Sequence, residues 1–366
     1  MDPRIRNLAR ILVQYSLKIK KGDVFKIVAE PIAAPLVKAV YEEALKSGAH
    51  GFAEIKLIEL AETFLKNGSD EQLSFYPPIR KFEVENLDAV LHIWGSTNTK
   101  YLSGIDPSRL QMASKAGRPY FERFLARQAE GTLSWCGTQF PTEAHAQDAE
   151  MSLSEYEDFV YGAGHVNEAE PVEYWKKIAR EQDRLVGILN GTEEIHLRAN
   201  GTDLKLQVKG RKWINCCGTK NFPDGEIFTS PLETSASGVI QFSFPAFYTG
   251  REVAGVKLVF KDGAVVEAKA DKDEGYLRAM IGTDEGSRRL GEFAIGTNYE
   301  IKKFTRNTLF DEKIGGTCHL ALGNSIPETG GVNKSGIHWD MVCNLKDNGE
   351  ISADGVVIYR NGAFLI

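Results

Sequence analysis

The stretch DVFKIVAEPIAAPLVKAVYEEALKSGAHGFAEIKL, residues 23–57, decides the fold class. Asp23–Ala29 is a short apolar run of strand length. Leu36, Val37, Val40, Ala44 and Leu45 then recur at helical spacing as far as Gly48, and Gly51–Leu57 reads as a second strand. Strand, helix and strand in this order form a βαβ unit, the building block of a parallel sheet covered by helices.

The neighbouring sequence extends the same pattern. Upstream, Asp2 caps and Pro3 opens a helix whose apolar face is Ile5, Leu8, Ile11, Leu12 and Tyr15. Downstream, Ala89–Gly95 and Thr132–Thr138 read as further strands, Asp106-Pro107 as a helix start, and Ser152 with Glu155 as a capping box. The last long helical pattern is Val172–Leu189. After about Glu193 the texture changes, because Leu204, Leu206 and Val208 alternate at period two and Asp262-Gly263, Asp354-Gly355 and Asn361-Gly362 supply hairpin turns. The expected fold is α/β: an α/β domain with a largely parallel sheet over residues 1–190, then a mainly β domain over 191–366.

Composition narrows the function classes. The chain has 366 residues, 42% of them hydrophobic and 26% charged, which is ordinary for a globular protein. No apolar run approaches the roughly 18 residues of a bilayer-spanning helix. The polar start MDPRIRNLAR is unlike a secretory leader, so a cytoplasmic protein that avoids membranes is expected. A net charge of −6 without a basic stripe argues against nucleic acid as a partner. Five cysteines without CxxC spacing suit neither a disulfide framework nor a zinc ribbon.

Familiar nucleotide and serine-hydrolase signatures are missing. Lys334-Ser335 lacks the preceding glycine of a phosphate loop, and Gly323–Pro327 lacks the second glycine of a nucleophile elbow. The unusual stretch is SGIHWDMVCN, Ser335–Asn344. On a strand, His338 and Asp340 project from one side roughly 6.5–7 Å apart, with Trp339 on the other. Alone, such a pair is as readily a hydrogen-bonded or solvated one.

Other residues of the β-rich half add weight. DEKIGGTCHLALGN (Asp311–Asn324) brackets the Gly315-Gly316 pair with Glu312 and His319. A lone histidine beside Leu320 and Leu322 usually reads as a core imidazole. Glu226 lies in a glycine-flanked turn, DGEIFT, and Glu292 lies between Leu290 and Phe293; either is ordinary by itself. Together, Glu226, Glu292, Glu312, His319, His338 and Asp340 make the mixed carboxylate and imidazole set that a pair of divalent ions with open positions needs.

Read in order, FPDGEIFTSP, DEKIGGTCHLALG, ETGGVNKSGIHWDMV and NGEISADGVVIYRNG resemble the M29 family of metallo-aminopeptidases, over nearly the whole chain. The resemblance implies a homodimeric exopeptidase that removes N-terminal residues from short peptides, with Glu226, Glu292, Glu312, His319, His338 and Asp340 as metal ligands. Two divalent ions per chain, whether zinc, cobalt, manganese or magnesium, would share a bridging water about 3.5–4 Å from ion to ion. A carboxylate drawn from Glu226, Glu292 or Glu312 would take the water's proton.

Two features depart from the family pattern. The spacing from Glu312 to His319 is longer than in its commonest members, and Ile326 stands where they carry a tyrosine. That isoleucine motivates an alternative expectation, a catalytically impaired or repurposed peptide-binding protein, unless Tyr248 or Tyr299 supplies the phenol. Dinuclear phosphoester hydrolases use the same ligand types, but only Lys313 and Lys334 lie close to the motifs in sequence, which disfavours a phosphate substrate.

Overall fold

The computed structural model describes residues 2–366, which divide into two compact units. One unit contains the chain through Lys176 together with Gly218–Pro223; the other contains Lys177–Cys217 and Asp224–Ile366.

The first unit is the expected α/β layer. Its five strands lie in the order His50–Ile55, Val24–Ala29, Ala89–Trp94, Ser134–Gln139 and Asn221–Phe222, all parallel. Helices connect them because a parallel return needs a long crossover. The Asp2 carboxylate accepts from the Arg4 N–H to cap the helix Pro3–Arg10, and both halves of the Ser152–Glu155 capping box form.

The division is not a single cut at residue 190. It falls inside the helix Pro171–Leu189, and Gly218–Pro223 returns to the first unit. There Asn221 and Phe222 pair with Gly137 and Thr138, and Phe222 packs on Trp175 with ring centroids 4.9 Å apart.

The second unit contains an eight-stranded and a five-stranded sheet. Every pairing within them is antiparallel. Asp262 and Gly263 both take positive φ, 51° and 79°, as the tight hairpin turn between Lys257–Lys261 and Ala264–Lys269 requires.

The five-stranded sheet positions the site. Its order is His338–Asn344, Thr317–Gly323, Leu290–Gly296, Glu226–Thr229 and Ile214–Cys216. One face sends Trp339, Met341, Leu320, Leu322, Phe293 and Ile227 into a core shared with Leu197, Leu204 and Ile240 of the larger sheet. Side chains alternate, so the residues between them occupy the other face. Among the described residues, no helix is long and apolar enough to cross a membrane.

Candidate metal centre

That other face gathers the polar residues. Asp340 lies opposite Ala321, which lies opposite Glu292; His319 lies opposite Ala294, and Glu226 opposite Gly296. His338 shares the side of Asp340 on its own strand. Small residues at 294, 296 and 321 leave room above the sheet for the longer acids and imidazoles.

Glu312 arrives from above rather than from a strand. It follows the short helix Thr308–Asp311, and the chain beyond it crosses over Gly296, where a Cβ would lie 2.2 Å from the Ile314 carbonyl oxygen. Only glycine tolerates that approach. The Asn298 N–H donates to the Lys313 carbonyl at 3.0 Å, and the Gly315 N–H donates to the Asn298 carbonyl at 2.8 Å, fixing the crossing. Gln182, 2% exposed, donates to the Glu226 carbonyl at 2.8 Å and holds that strand from the helix side.

The structure therefore brings all six sequence-selected side chains together. His319 Nε2 lies 3.5 Å from Glu226 Oε2 and 3.6 Å from Glu292 Oε1, while His338 Nε2 lies 3.2 Å from Glu292 Oε2 and 3.4 Å from Asp340 Oδ1. Each oxygen of Glu292 thus faces a different imidazole. Ligand-type atoms of Glu226, Glu312 and His319 fall within 4.8 Å of one another, as do those of Glu292, His319 and Asp340.

Those separations test whether the residues suit a metal. Two ligands each about 2.1 Å from a tetrahedral ion lie about 3.4 Å apart, so distances of this size match shared ligation better than direct hydrogen bonds. Glu226 Oε2 and Asp340 Oδ1 are buried without a hydrogen-bond partner, an expensive condition unless a cation satisfies them. His319 Nδ1 lies 3.1 Å from the Glu312 carbonyl oxygen, and His338 Nδ1 lies 2.8 Å from that of Asn324. A carbonyl only accepts, so Nδ1 donates in both rings and Nε2 is left to face the acids. The residues fit divalent cations.

Electrostatics within the cluster point the same way. Burial alone would push the His319 imidazole down, but the adjoining Glu292 carboxylate and the charges of Glu226 and Glu312 lift it to about 10. Against the same cost, Asp340 and Glu292 lift His338 to about 12. Burial raises Glu312 to about 8, against the pull of Lys313, with Asp340 and Glu226 adding to the rise. Burial would also raise Asp340, yet the adjoining His338 imidazole holds it well below the ordinary carboxylate range. An excess of buried carboxylate is taking up whatever positive charge is near.

Lys313 is the member that the sequence reading missed as part of the site. Its ammonium is buried, 2.6 Å from Glu312 Oε2 and 3.4 Å from Glu226 Oε1. The available signal was its position directly after a ligand-type glutamate and before Gly315-Gly316 in an apolar segment.

Neither tyrosine considered as a replacement phenol fills that role. Tyr299 Oη donates to the Gly362 carbonyl at 3.0 Å, and the Tyr248 ring packs 5.7 Å from that of Trp339, on the core side of the strand carrying His338. A cleft lined by Pro245, Phe247, Phe304, Arg306, Thr308 and Val342 reaches Glu312 and Asp340.

Carboxylates and imidazoles gathered in this way on one face of a sheet make the donor set of a metalloenzyme. The chain belongs to the M29 family of thermophilic metalloproteases, whose profile matches residues 1–364. It is 28% identical to Aminopeptidase 2 of Geobacillus stearothermophilus, over 99% of this chain and 97% of that one. Aminopeptidase T of Thermus thermophilus is likewise 28% identical, over 99% of this chain and 97% of its own length. The solved structure of wild-type AmpT from Thermus thermophilus matches with a TM-score of 0.87 at 26% identity, covering 99% of each chain. Family membership makes this chain a metal-dependent hydrolase of peptide bonds, and the structural match supports the fold described above.

Proposed function

We propose that the chain is an aminopeptidase that removes N-terminal residues from short peptides at a two-cation centre. The observation that carries this reading is the pair of imidazole Nε2 atoms facing the two oxygens of Glu292, at 3.6 Å and 3.2 Å. Its aminopeptidase relatives support the exopeptidase part.

In this reading Glu226, Glu312 and His319 would hold one cation and Asp340 and His338 the other, with Glu292 placed between the two sets. The bound ions supply Lewis acidity, polarising the scissile carbonyl and making water a competent nucleophile near neutral pH. The backbone carbonyls of Glu312 and Asn324 keep the two rings in the orientation that ligation needs. Glu226 or Glu292 accepts the proton of the attacking water and passes it to the leaving amine, so that the amine departs neutral. The cleft beside Phe247 and Phe304 gives the peptide its way to this face.

Metal analysis together with turnover of aminoacyl-anilides tests the proposal. We expect close to two divalent ions per chain, loss of hydrolysis on chelation, and recovery with zinc, cobalt, manganese or magnesium. His338→Ala should lose metal while keeping its fold. A metal-free protein that still cleaves would refute the proposal.

The homodimer implied by the family resemblance is part of the same proposal. Phe52, Leu60, Phe64, Phe75 and Phe82 of the first unit are exposed, an apolar surface of the kind that subunit contacts cover. A monomer mass by sedimentation at micromolar concentration would remove that element. The alternative of peptide binding without turnover rests on Ile326, for which neither Tyr248 nor Tyr299 compensates. Bound peptide without released amino acids would favour it.

A further inference from the structure

Lys313 is 1% exposed, and its ammonium touches the carboxylates of Glu312 and Glu226, at 2.6 Å and 3.4 Å. Keeping a long charged side chain there costs rotamer freedom and hydration. The backbone nevertheless pins it: the Lys313 N–H donates to the Phe310 carbonyl and its own carbonyl accepts from Asn298, both at 3.0 Å. The lysine is therefore a fixed part of the cluster.

Two roles fit that position, and they make opposite predictions for metal binding. A prop that merely orders Glu226 and Glu312 would strengthen metal binding, typically by 10–100-fold for a supporting residue. A fixed positive charge would instead oppose cations. In a buried setting, repulsion between that charge and a divalent ion held by the same carboxylates outweighs an ordering effect of that size.

Charge arithmetic shows what that repulsion achieves. Glu226, Glu292, Glu312 and Asp340, with buried Asp224 beside Glu226, supply the negative charge, and Lys313 returns one positive charge. On the two-cation reading proposed above, Lys313 makes the loaded centre one charge more positive than its carboxylates and ions alone would. Peptide hydrolysis develops one negative charge on the carbonyl oxygen.

We infer that Lys313 makes the loaded centre one charge more positive, which favours the single negative charge developing on the scissile carbonyl at the expense of tighter metal binding. Lys313 acts through the field at the reacting oxygen and need not touch substrate. Its positive charge would favour the oxyanion in a chain whose Ile326 supplies no phenol.

The inference rests on the metal-centre reading, and two variants test it in the intact chain. Lys313→Met removes the charge at similar length, and Lys313→Gln removes it but keeps a hydrogen-bond donor, which also covers a methionine variant that fails to fold. The readouts are divalent-metal affinity and inhibition by a phosphonic-acid dipeptide analogue, tetrahedral and anionic, compared with an uncharged amino alcohol. Both variants should bind metal at least about 10-fold more tightly and the phosphonate about 10–100-fold more weakly, with amino-alcohol inhibition little changed. Weaker metal binding in Lys313→Met that Lys313→Gln restores would make the lysine a prop and overturn the inference. Unchanged phosphonate affinity would also overturn it. If the parent chain binds no divalent metal, the metal-centre reading fails and takes this inference with it, a result distinct from either variant outcome.

Discussion

Each unit buries a lysine between two glutamates, yet only one of the two clusters is short of positive charge. In the first unit, Lys26 lies 2.5 Å from Glu54 and 2.9 Å from Glu83, and Arg80 meets both glutamates at 3.1 Å. Two cations face two anions there. In the second unit, Lys313 meets Glu312 and Glu226 within a cluster that also holds Glu292 and Asp340, and buried oxygens of Glu226 and Asp340 lack a hydrogen-bond partner. A buried lysine–glutamate pair is thus no sign of function by itself. The imbalance around it is, because a balanced network is complete whereas an unbalanced one calls for a further cation.

The same contrast runs through the histidines. Burial, reinforced by Lys56 and Lys26, pushes His92 of the first unit down to about 4, whereas the carboxylates lift His319 to about 10. One setting keeps an imidazole neutral; the other gives it a proton that a metal must displace.

The largest expected effect that would sharpen the comparison is on stability. Lys26→Met leaves Glu54 and Glu83 with Arg80 alone and should destabilise the first unit by about 3–5 kcal/mol, read by urea unfolding. Metal content per folded chain should not change. A large loss of metal in that variant would break the distinction between a structural cluster and a binding one.

A smaller effect concerns acid. The folded-state value for His92 lies below its ordinary 6.5, so on acidification the unfolded chain takes up this proton first. The stabilisation from keeping His92 neutral is complete above about 6.5 and is lost as the pH falls towards about 4. Allowing for partial exposure, it is about 2 kcal/mol. The melting temperature of the parent should therefore fall more steeply across this window than that of His92→Gln. Parallel curves would show that the cation-rich surroundings of His92 do not control its protonation.

Much of this architecture could be read from local pattern. Period-two alternation placed His338 and Asp340 on one side of a strand and Trp339 on the other, as found. The strand–helix–strand run at 23–57 and the Asp-Gly turns announced a parallel and an antiparallel half. Residue chemistry, read in chain order, selected the six side chains that converge.

What escaped depends on contacts distant in sequence. The pairing of Asn221 and Phe222 with Gly137 and Thr138 is too short to leave a periodic trace. The burial of Lys313 follows from the chain crossing at Gly296, and no composition rule marks a lysine as interior. Whether Tyr248 or Tyr299 reached the site was equally a matter of tertiary placement.

The sheet that carries five of the six acids and imidazoles is held from behind by Trp339, Leu320, Phe293 and Ile227. The spacing of the reactive groups therefore inherits the stiffness of the interior, while Pro245, Phe304 and Arg306 in the walls of the cleft belong to connecting segments. Descendants of this chain can revise which peptides they digest by editing those walls, without disturbing the scaffold that sets the chemistry.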